Sequence, residues 1–331
     1  ASAAGRRRLR EHVERLEGHR AVRIGVVVGV DLVDVRLALA PFEAVHVVLR
    51  RLVHVDRVLV DEDLGRGDVT TAALGSATAL VELVIAPSLR ENGVPAEAVQ
   101  LVPTPGHAGA DALVGLPDLV PLVVVRGSGE VTRRLSALGA AAGTRVLAHA
   151  DGGGVLYLDA SASDPAVAQM IHDSTDRLGV CNRLNLLLID RPAYDRLWPA
   201  AERALIERGL TPSLPPHSHP LGHEWALDAG NEAHVTVAQV DGPVDAALTA
   251  ARETSGLAAA VCAEDEKAAT AFIDAYTGTG VFWNAPTRLL DGYKLLGLPE
   301  TGINVDHTPG PRGPVTYPDL SLRQFVVLPP E

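Results

Sequence analysis

Cys181 lies in a loop-like segment whose residue types could support chemistry on a carbonyl group. It follows Gly179 and precedes Asn182, between a predicted helix and a predicted buried strand. A thiol with a lowered pKa can attack a carbonyl carbon there, and backbone amides beside it can stabilise the resulting oxyanion. The alternative interpretation is a buried thiol that packs as a small apolar side chain. Cys262, at the end of the apolar run 258–261, fits only the second interpretation.

A glycine-containing turn, Gly127-Ser128-Gly129-Glu130, lies between the apolar run 119–125 and a helix predicted over 131–142. Backbone N–H groups at the start of a helix attract anions, so this turn predicts a cradle for a phosphate or a dinucleotide. The turn lacks the complete G-x-G-x-x-G pattern, and an ordinary strand-to-helix turn is the alternative. The three glycines at 152–154 allow the same two interpretations.

Three histidines, His217, His219 and His223, form an H-x-H-x3-H group with Glu224 beside it. Imidazole and carboxylate groups at such spacing can hold a metal ion. Prolines surround the group, which is typical of an exposed irregular loop, and we predict no metal here.

Two arginines lie in segments rich in glycine and proline. Arg288 ends the sequence Asn-Ala-Pro-Thr-Arg, and Arg312 is central in Gly-Pro-Arg-Gly-Pro. A guanidinium in such a loop can bind a phosphate or a carboxylate through two hydrogen bonds. An ordinary solvated arginine is the alternative.

The composition limits the classes of protein to which the chain can belong. Its 331 residues, 47% of them hydrophobic, predict a folded globular protein of about two domains. The longest apolar runs, such as 24–30 and 119–125, are far shorter than the roughly 20 residues of a membrane-spanning helix. A net charge of −12 without a basic stripe argues against a nucleic-acid partner.

We expect a cytoplasmic protein, because two cysteines cannot form a disulfide framework and no secretory signal is visible in the first twenty residues. The chain begins with Ala and not with Met, so we expect its natural start to lie upstream.

Strand-like and helix-like segments alternate along the chain, which predicts an open α/β sheet, formed twice. Strands are predicted at 22–30, 53–60, 99–102, 119–125, 145–148, 155–159, 184–189, 234–240, 258–262, 280–284 and 321–328. Helices are predicted at 76–89, 111–116, 131–142, 165–178, 192–208, 244–254 and 266–276, with a loop at 211–223.

Several segments resemble, in the same order, the gamma-glutamyl phosphate reductase branch of the aldehyde dehydrogenase superfamily, also called glutamate-5-semialdehyde dehydrogenase. Together they cover residues 75–327, and the spacing from Gly152 to Cys181 is also similar to that of the family. The segments are 93–102, Arg126-Gly127-Ser128-Gly129, Gly179-Val180-Cys181-Asn182, Asn284-Ala285-Pro286-Thr287-Arg288 with Asp291-Gly292, 297–303, and Arg312-Gly313-Pro314.

The resemblance implies an aldehyde dehydrogenase-like fold with two open α/β lobes, a Rossmann-like cofactor lobe and a catalytic lobe. It also implies NADPH-dependent reduction of L-glutamyl 5-phosphate to glutamate 5-semialdehyde, a reaction of proline biosynthesis. Cys181 would form a thioacyl intermediate, and amides at Cys181 and Asn182 would support the oxyanion. Substrate or structural anion contacts are expected from Arg288 and Arg312. Cofactor contacts are expected from Gly75, Ser76, Arg126, Gly127, Ser128 and Glu300.

The resemblance divides the chain into four parts. Residues 1–70 form a divergent amino-terminal segment, and 71–151 a partial cofactor lobe. Residues 152–279 form the catalytic lobe, and 280–331 return to the cofactor lobe and end in a strand for oligomerisation, so a homo-oligomer is expected.

Two rival interpretations stay open. One is a non-catalytic family member that acts as a binding or scaffold protein. The other is a general aldehyde-oxidising enzyme, which needs a carboxylate base near the thioester, and Asp151 is the candidate for that base.

Overall fold

The computed structural model describes residues 24–28, 33–37, 86–93, 95–96, 107–126, 129–149, 152–228, 230–305 and 313–320. Within these ranges the chain forms a four-stranded sheet, a six-stranded sheet and a two-stranded ribbon. Parts of the predicted helix at 76–89, and the strands predicted at 53–60, 99–102 and 321–328, lie outside the described residues.

The four-stranded sheet has the order β2-β1-β3-β4. The antiparallel pair is β1 with β2, whereas β1, β3 and β4 run parallel. A helix, α3, connects β3 to β4, and further helices α1 and α2 precede β3; the core between them contains Leu113, Val123 and Leu135. The bounds are β1 Ile24–Val28, β2 Val33–Leu37, α1 Ala86–Glu91, α2 Ala108–Val114, β3 Leu122–Arg126, α3 Gly129–Ala142 and β4 Arg145–His149.

The six-stranded sheet has the order β10-β9-β5-β6-β8-β7, and all of its neighbouring strands are parallel. The strands are β5 Gly154–Leu158, β6 Leu184–Asp190, β7 Thr211–Ser213, β8 His234–Val240, β9 Ala258–Cys262 and β10 Gly280–Trp283. The helices are α4 Asp164–Ser174, α5 Tyr194–Glu207, α6 Pro243–Glu253 and α7 Glu266–Ala275.

Helices cover both faces of this sheet, which explains its apolar strands. Helices α4 and α5 pack on one face, and α6 and α7 pack on the other. Every residue of β5, β6 and β9 is buried. Continuous apolar runs are typical of parallel strands that are covered on both sides, and burial of each large side chain stabilises the fold by about 1.5–3 kcal/mol.

The structure corrects two predicted boundaries. Helix α4 ends at Ser174 and not at 178, because the Thr175 hydroxyl donates to the Ile171 carbonyl and the Arg208 guanidinium donates to the Thr175 carbonyl. The predicted division at 279/280 falls inside the six-stranded sheet, because β10 pairs with β9. A short strand, β7, also begins the predicted loop at 211–223.

The ribbon consists of β11 (Glu300–Asn304) and β12 (Gly313–Thr316), which are antiparallel. Val315 of β12 packs with Leu122, Val124 and Leu147 of the four-stranded sheet. The chain therefore returns from the second sheet to the first.

Among the described residues, none of the helices combines the length and the apolar character that a membrane-spanning segment requires. The predicted α/β class, with two open sheets, is confirmed.

Candidate active site

Cys181 lies in the loop between α4 and β6, beside the amino-terminal ends of the parallel strands of the six-stranded sheet. We call this side of the sheet its amino edge, and the side at the carboxyl-terminal ends of the strands its carboxyl edge. The Cys181 side chain is partly exposed and packs beside Leu257, Leu290 and Ile303. Cys262 is the last residue of β9, at the opposite edge, and is buried. Burial raises the pKa of the Cys262 thiol to about 12. The prediction that Cys262 is a core thiol is confirmed, and Cys181 is the more accessible of the two.

Gly152 packs against the backbone of Cys181. A Cβ at position 152 would lie 2.4 Å from the Cys181 carbonyl oxygen and 2.6 Å from the Cys181 Cβ, so no larger residue fits. The Gly153 N–H donates to the Cys181 carbonyl at 2.9 Å, and the Ser255 hydroxyl donates to the Gly152 carbonyl at 2.8 Å. The glycines at 152–154 therefore permit the close approach of the loop that carries Cys181 to β5.

Three successive carbonyl groups fix the backbone at Cys181. The Cys181 carbonyl accepts from Gly153, the Asn182 carbonyl accepts from the Thr287 hydroxyl at 2.7 Å, and the Arg183 carbonyl accepts from the Gly154 N–H at 3.0 Å. Each of these carbonyl groups shares a planar peptide unit with the N–H group of the next residue. The hydrogen bonds to the carbonyl groups therefore fix the orientation of those N–H groups as well.

The Asn182 side chain is buried and bonded within the protein. Its Nδ2 donates to the Leu290 carbonyl at 2.9 Å, and its Oδ1 accepts from Arg288 Nη1. The side-chain amide is thus committed to holding the loop, and the donors that this segment can offer to an oxyanion are backbone N–H groups.

Arg288 is not a solvated surface arginine, since its side chain is only 11% exposed. Its Nε donates to Asp176 Oδ1 at 2.5 Å, in addition to the bond from Nη1 to Asn182. Lys294 Nζ also approaches Asp176 Oδ2, at 3.8 Å. The segment that carries Arg288 therefore joins the loop that carries Cys181.

The ribbon connects the four-stranded sheet to the apolar cluster that Cys181 contacts. Ile303 of β11 packs in the apolar cluster that Cys181 contacts. The Ile303 N–H donates to Nδ1 of His149 at 2.7 Å, and His149 ends β4. The carboxyl end of β4 and the amino edge of the second sheet thus meet at Ile303.

One helix start near this junction has the chemistry that attracts phosphate groups, as a nicotinamide nucleotide would require. Helix α3 begins directly after parallel strand β3, an arrangement whose first N–H groups attract phosphate. Gly302 lies against the His149 side chain, where an added Cβ would come within 3.2 Å. Glu300 accepts a hydrogen bond from the Gly292 N–H at 2.8 Å, which fixes its carboxylate at the start of β11.

Several predicted site residues cannot be placed. Arg126 ends β3, but its side chain lies outside the described part of the structure. Gly75, Ser76, Gly127, Ser128, Arg312 and the candidate base Asp151 also lie outside it. Of the predicted residues, the structure brings Cys181, Asn182 and Arg288 together, and it places Glu300 on the neighbouring ribbon.

The three histidines, His217, His219 and His223, pack in a cluster of aromatic rings. His217 and His219 have ring centroids 5.2 Å apart, and His219 and His223 both pack edge-on against Trp225. Burial lowers the pKa of His217. Within the described residues no group of three or more His, Cys, Asp or Glu side chains could hold a metal ion.

Arg183 is fully buried two residues after Cys181. Its Nη2 donates to the His234 carbonyl at 2.7 Å, whereas its Nε and Nη1 donate no hydrogen bond within the described structure. Burial lowers the pKa of Arg183, and the nearby carboxylates of Glu224 and Glu232 partly oppose that shift.

The sequence alone gives no signal for Ser255 or His149, which lie far from Cys181 along the chain. Asp176 lies five residues before Cys181, but its contact with Arg288 depends on the fold. Thr287, in contrast, is adjacent to Arg288 within a segment already singled out, so its contact with Asn182 could have been sought there.

Comparison with known proteins supports the family resemblance and the fold. Residues 74–209 match the family model described as "Aldehyde dehydrogenase family". A solved gamma-glutamyl phosphate reductase from Thermotoga maritima superposes with a TM-score of 0.66 at 22% identity, over 78% of this chain and 63% of that one. An acetylating aldehyde dehydrogenase from Geobacillus thermoglucosidasius gives a TM-score of 0.59 at 14% identity, over 77% and 68%. Residues 74–209 therefore belong to a domain of the aldehyde dehydrogenase family.

Within that family the chain is similar to curated gamma-glutamyl phosphate reductases. It is 33% identical to that of Thermus thermophilus over 251 residues, which are 73% of this chain and 59% of the relative. It is 34% identical to that of Novosphingobium aromaticivorans over 266 residues, 77% of this chain and 60% of the relative. The chain thus spans about three fifths of the length of these relatives.

Proposed function

We propose that the chain is an oxidoreductase that reduces L-glutamyl 5-phosphate to glutamate 5-semialdehyde through Cys181, with NADPH as the cofactor, as a step of proline biosynthesis. The observation that carries the proposal is the position of Cys181. It is partly exposed, its backbone is fixed at three successive carbonyls, and it lies where β11 joins the end of β4 to the second sheet.

The chemistry divides into two balanced steps. The Cys181 thiolate attacks the acyl carbon, the carbon–sulfur bond forms, and the carbon–oxygen bond to phosphate breaks, which releases inorganic phosphate. NADPH, when bound, would supply the hydride for reduction of the thioacyl carbon. The carbon–sulfur bond to Cys181 then breaks, so the semialdehyde leaves and the thiolate is restored. The backbone N–H groups around Cys181 and Asn182 would stabilise the oxyanion in both steps.

The relatives' names support the substrate, because several gamma-glutamyl phosphate reductases match most of the chain at about one third identity. A nicotinamide cofactor is supported by the fold and by a related engineered glycolyl-CoA reductase, which was solved with NADP+. Gly75, Ser76, Arg126, Gly127, Ser128 and Glu300 remain the proposed cofactor contacts, and Arg312 a proposed substrate contact.

The four-part division of the chain also remains a proposal, with the catalytic lobe extended to include β10. We further propose a cytoplasmic location, because neither described cysteine forms a disulfide. We also propose a homo-oligomer, because the strand predicted at 321–328 would offer an apolar edge for association.

A reductase assay tests the function directly. The chain is incubated with L-glutamyl 5-phosphate and NADPH, and both semialdehyde formation and phosphate release are measured. One phosphate released for each NADPH oxidised is the expected result. Oxidation of aldehydes without any requirement for phosphate would instead indicate a general aldehyde dehydrogenase.

Binding of NADPH provides a second measurement. A ligand that binds only the native state raises its thermal midpoint. A raised midpoint without turnover would support the scaffold alternative, and an unchanged midpoint with no turnover would contradict the proposed enzyme.

A further inference from the structure

Two nitrogen atoms of the Arg288 guanidinium donate hydrogen bonds to groups of the protein. Arg288 donates to Asp176 Oδ1 at 2.5 Å and to Asn182 Oδ1, and its side chain is 11% exposed. A guanidinium has five N–H donors in a planar fork, and a substrate clamp must present that fork to the ligand. Here the fork is directed at the loop that carries Cys181.

Asn182 is the residue through which Arg288 reaches the nucleophile. A side-chain amide can rotate so that its oxygen and nitrogen exchange places, and its hydrogen-bond partners decide the orientation. Arg288 Nη1 can only donate, so it selects Oδ1 of Asn182. The Nδ2 is then directed to the Leu290 carbonyl, at 2.9 Å.

The same segment also holds the main chain of Asn182. The Thr287 hydroxyl, one residue before Arg288, donates to the Asn182 carbonyl at 2.7 Å. The side chain and the main chain of the residue that follows Cys181 are therefore both fixed by residues 287–290. Asp176 anchors the guanidinium from the other side, just after α4.

We infer that Arg288 is a positioning residue for Cys181 and not a substrate contact. The inference rests on the proposed function for its kinetic consequence. By orienting Asn182, Arg288 fixes the backbone N–H groups that face the developing oxyanion and the thiolate. Misplacement of reacting groups by about 1 Å can lower a rate about 100-fold, so a loosened loop lowers kcat while substrate binding is kept.

The test compares Arg288→Lys with Arg191→Lys in the full chain. Lysine keeps the positive charge but loses the fork. Arg191 is the matched control, because its guanidinium also bonds a carboxylate, Asp241 Oδ1 at 2.7 Å, at the opposite edge of the sheet. For Arg288→Lys we expect kcat to fall about ten-fold or more with KM within about two-fold, and for Arg191→Lys no change in either.

Asp176→Asn is a second variant that leaves Arg288 in place. Asp176 is about half exposed, so this substitution is compatible with folding. We expect a smaller loss of kcat than for Arg288→Lys, again without a change in KM, because Asn182 keeps its bond to Arg288. A rise in KM with unchanged kcat, in either variant, would show a substrate contact and overturn the inference.

Alkylation of Cys181 by iodoacetamide, followed by peptide mass spectrometry, separates this inference from the proposed function. Near neutral pH we expect alkylation of Cys181 to be about three-fold slower in Arg288→Lys than in Arg191→Lys, because fewer oriented N–H groups stabilise the thiolate. If the chain shows no reductase activity, the proposed function fails, and the two alkylation rates alone decide whether Arg288 positions Cys181. Equal rates would overturn the positioning role.

Discussion

The two edges of the six-stranded sheet each carry a cysteine, and the surroundings of the two thiols are opposite. At the amino edge, Cys181 is partly exposed in a loop that contacts the ribbon. At the carboxyl edge, Cys262 is buried in the core, and its thiol has a pKa raised to about 12. One sheet thus holds one partly exposed thiol and one buried thiol.

The carboxyl edge is closed by its own loops. In open α/β sheets, ligands usually bind at this edge, where the strand order changes direction. In this sheet the direction changes between β5 and β9. There the Ser161 hydroxyl donates to Asp159 at 2.6 Å and accepts from the N–H groups of Glu264 and Asp265, each at 2.9 Å. Tyr157 donates to the same carboxylate at 3.1 Å.

The amino edge, in contrast, is completed by residues from outside its own sheet. The loop that carries Cys181 is fixed by hydrogen bonds from Arg288 and Thr287, which follow β10, and it packs against Ile303 of the ribbon. The comparison teaches that the partly exposed thiol lies at the edge that another part of the molecule completes. The usual ligand edge is filled by hydrogen bonds between its own loops.

The largest expected effect separates the two cysteines. Cys181→Ala should lower acyl phosphate reduction at least about 1,000-fold, because the other cysteine, Cys262, is buried at the opposite edge. Cys262→Ala is the matched variant and should retain activity. Phosphate release and NADPH oxidation measure both variants. Equal activity of Cys181→Ala and the unchanged chain would refute the thioacyl mechanism.

Gly152→Ala should have the next largest effect. The new methyl group would lie 2.4 Å from the Cys181 carbonyl oxygen, so the loop that carries Cys181 must move. We expect kcat to fall about 100-fold, together with a lower thermal midpoint. Gly115→Ala is the control, because its φ is −84° and the nearest atom to a new Cβ is at 3.4 Å. Unchanged kcat in Gly152→Ala would mean that close packing against Cys181 is unimportant.

Ser161→Ala tests the closed edge. It removes a hydroxyl that donates one hydrogen bond to Asp159 and accepts two from the N–H groups of Glu264 and Asp265. The free energy of unfolding should fall by about 1–3 kcal/mol, while kcat and KM stay within about two-fold. Denaturant unfolding and the reductase assay give the two values. A large loss of kcat at full stability would place a function at this edge as well.

The smallest expected effect is a change in the pH dependence of stability. The pKa of Cys262 rises from 9.0 to about 12 on folding. Above pH 9 the unfolded thiol loses its proton while the folded thiol keeps it. Stability from this group is therefore complete below pH 9 and is lost as the pH rises towards 12, by up to about 1.4 kcal/mol per pH unit.

Cys262→Ala should flatten that decline relative to the unchanged chain, as measured by denaturant unfolding between pH 8 and 11, a range of about three units. Other groups that titrate there, such as Tyr157, whose pKa burial also raises, are common to both proteins and cancel in the difference. Identical slopes would contradict the assignment of Cys262 to a dry core.

Much of the second sheet was predictable because its local signals agree. The strands at 234–240 and 258–262 coincide with β8 and β9, since apolar runs bounded by turn residues leave little choice of register. The helix predicted to end at 178 instead ends at Ser174, because Thr175 and Arg208 take up carbonyls at its end. Arg208 is distant in sequence, so periodicity could not reveal that ending.

The site was predictable in part. Cys181 and the spacing to Gly152 are visible as motifs, but the role of Arg288 is not. In the sequence its glycine- and proline-rich surroundings fit an anion clamp, a surface residue or a structural contact equally well. Its bonds to Asp176 and Asn182 depend on the fold, which brings together groups that lie over 100 residues apart.

The residue order by itself determined the α/β class, most elements of the second sheet, and which cysteine stands in a loop, because these follow from local periodicity and turn chemistry. Only the tertiary structure decided which edge of the sheet is open, what holds Asn182, and where β11 meets His149. Those features are contacts between distant segments, and their energies depend on distance and burial, which no local pattern of residues encodes.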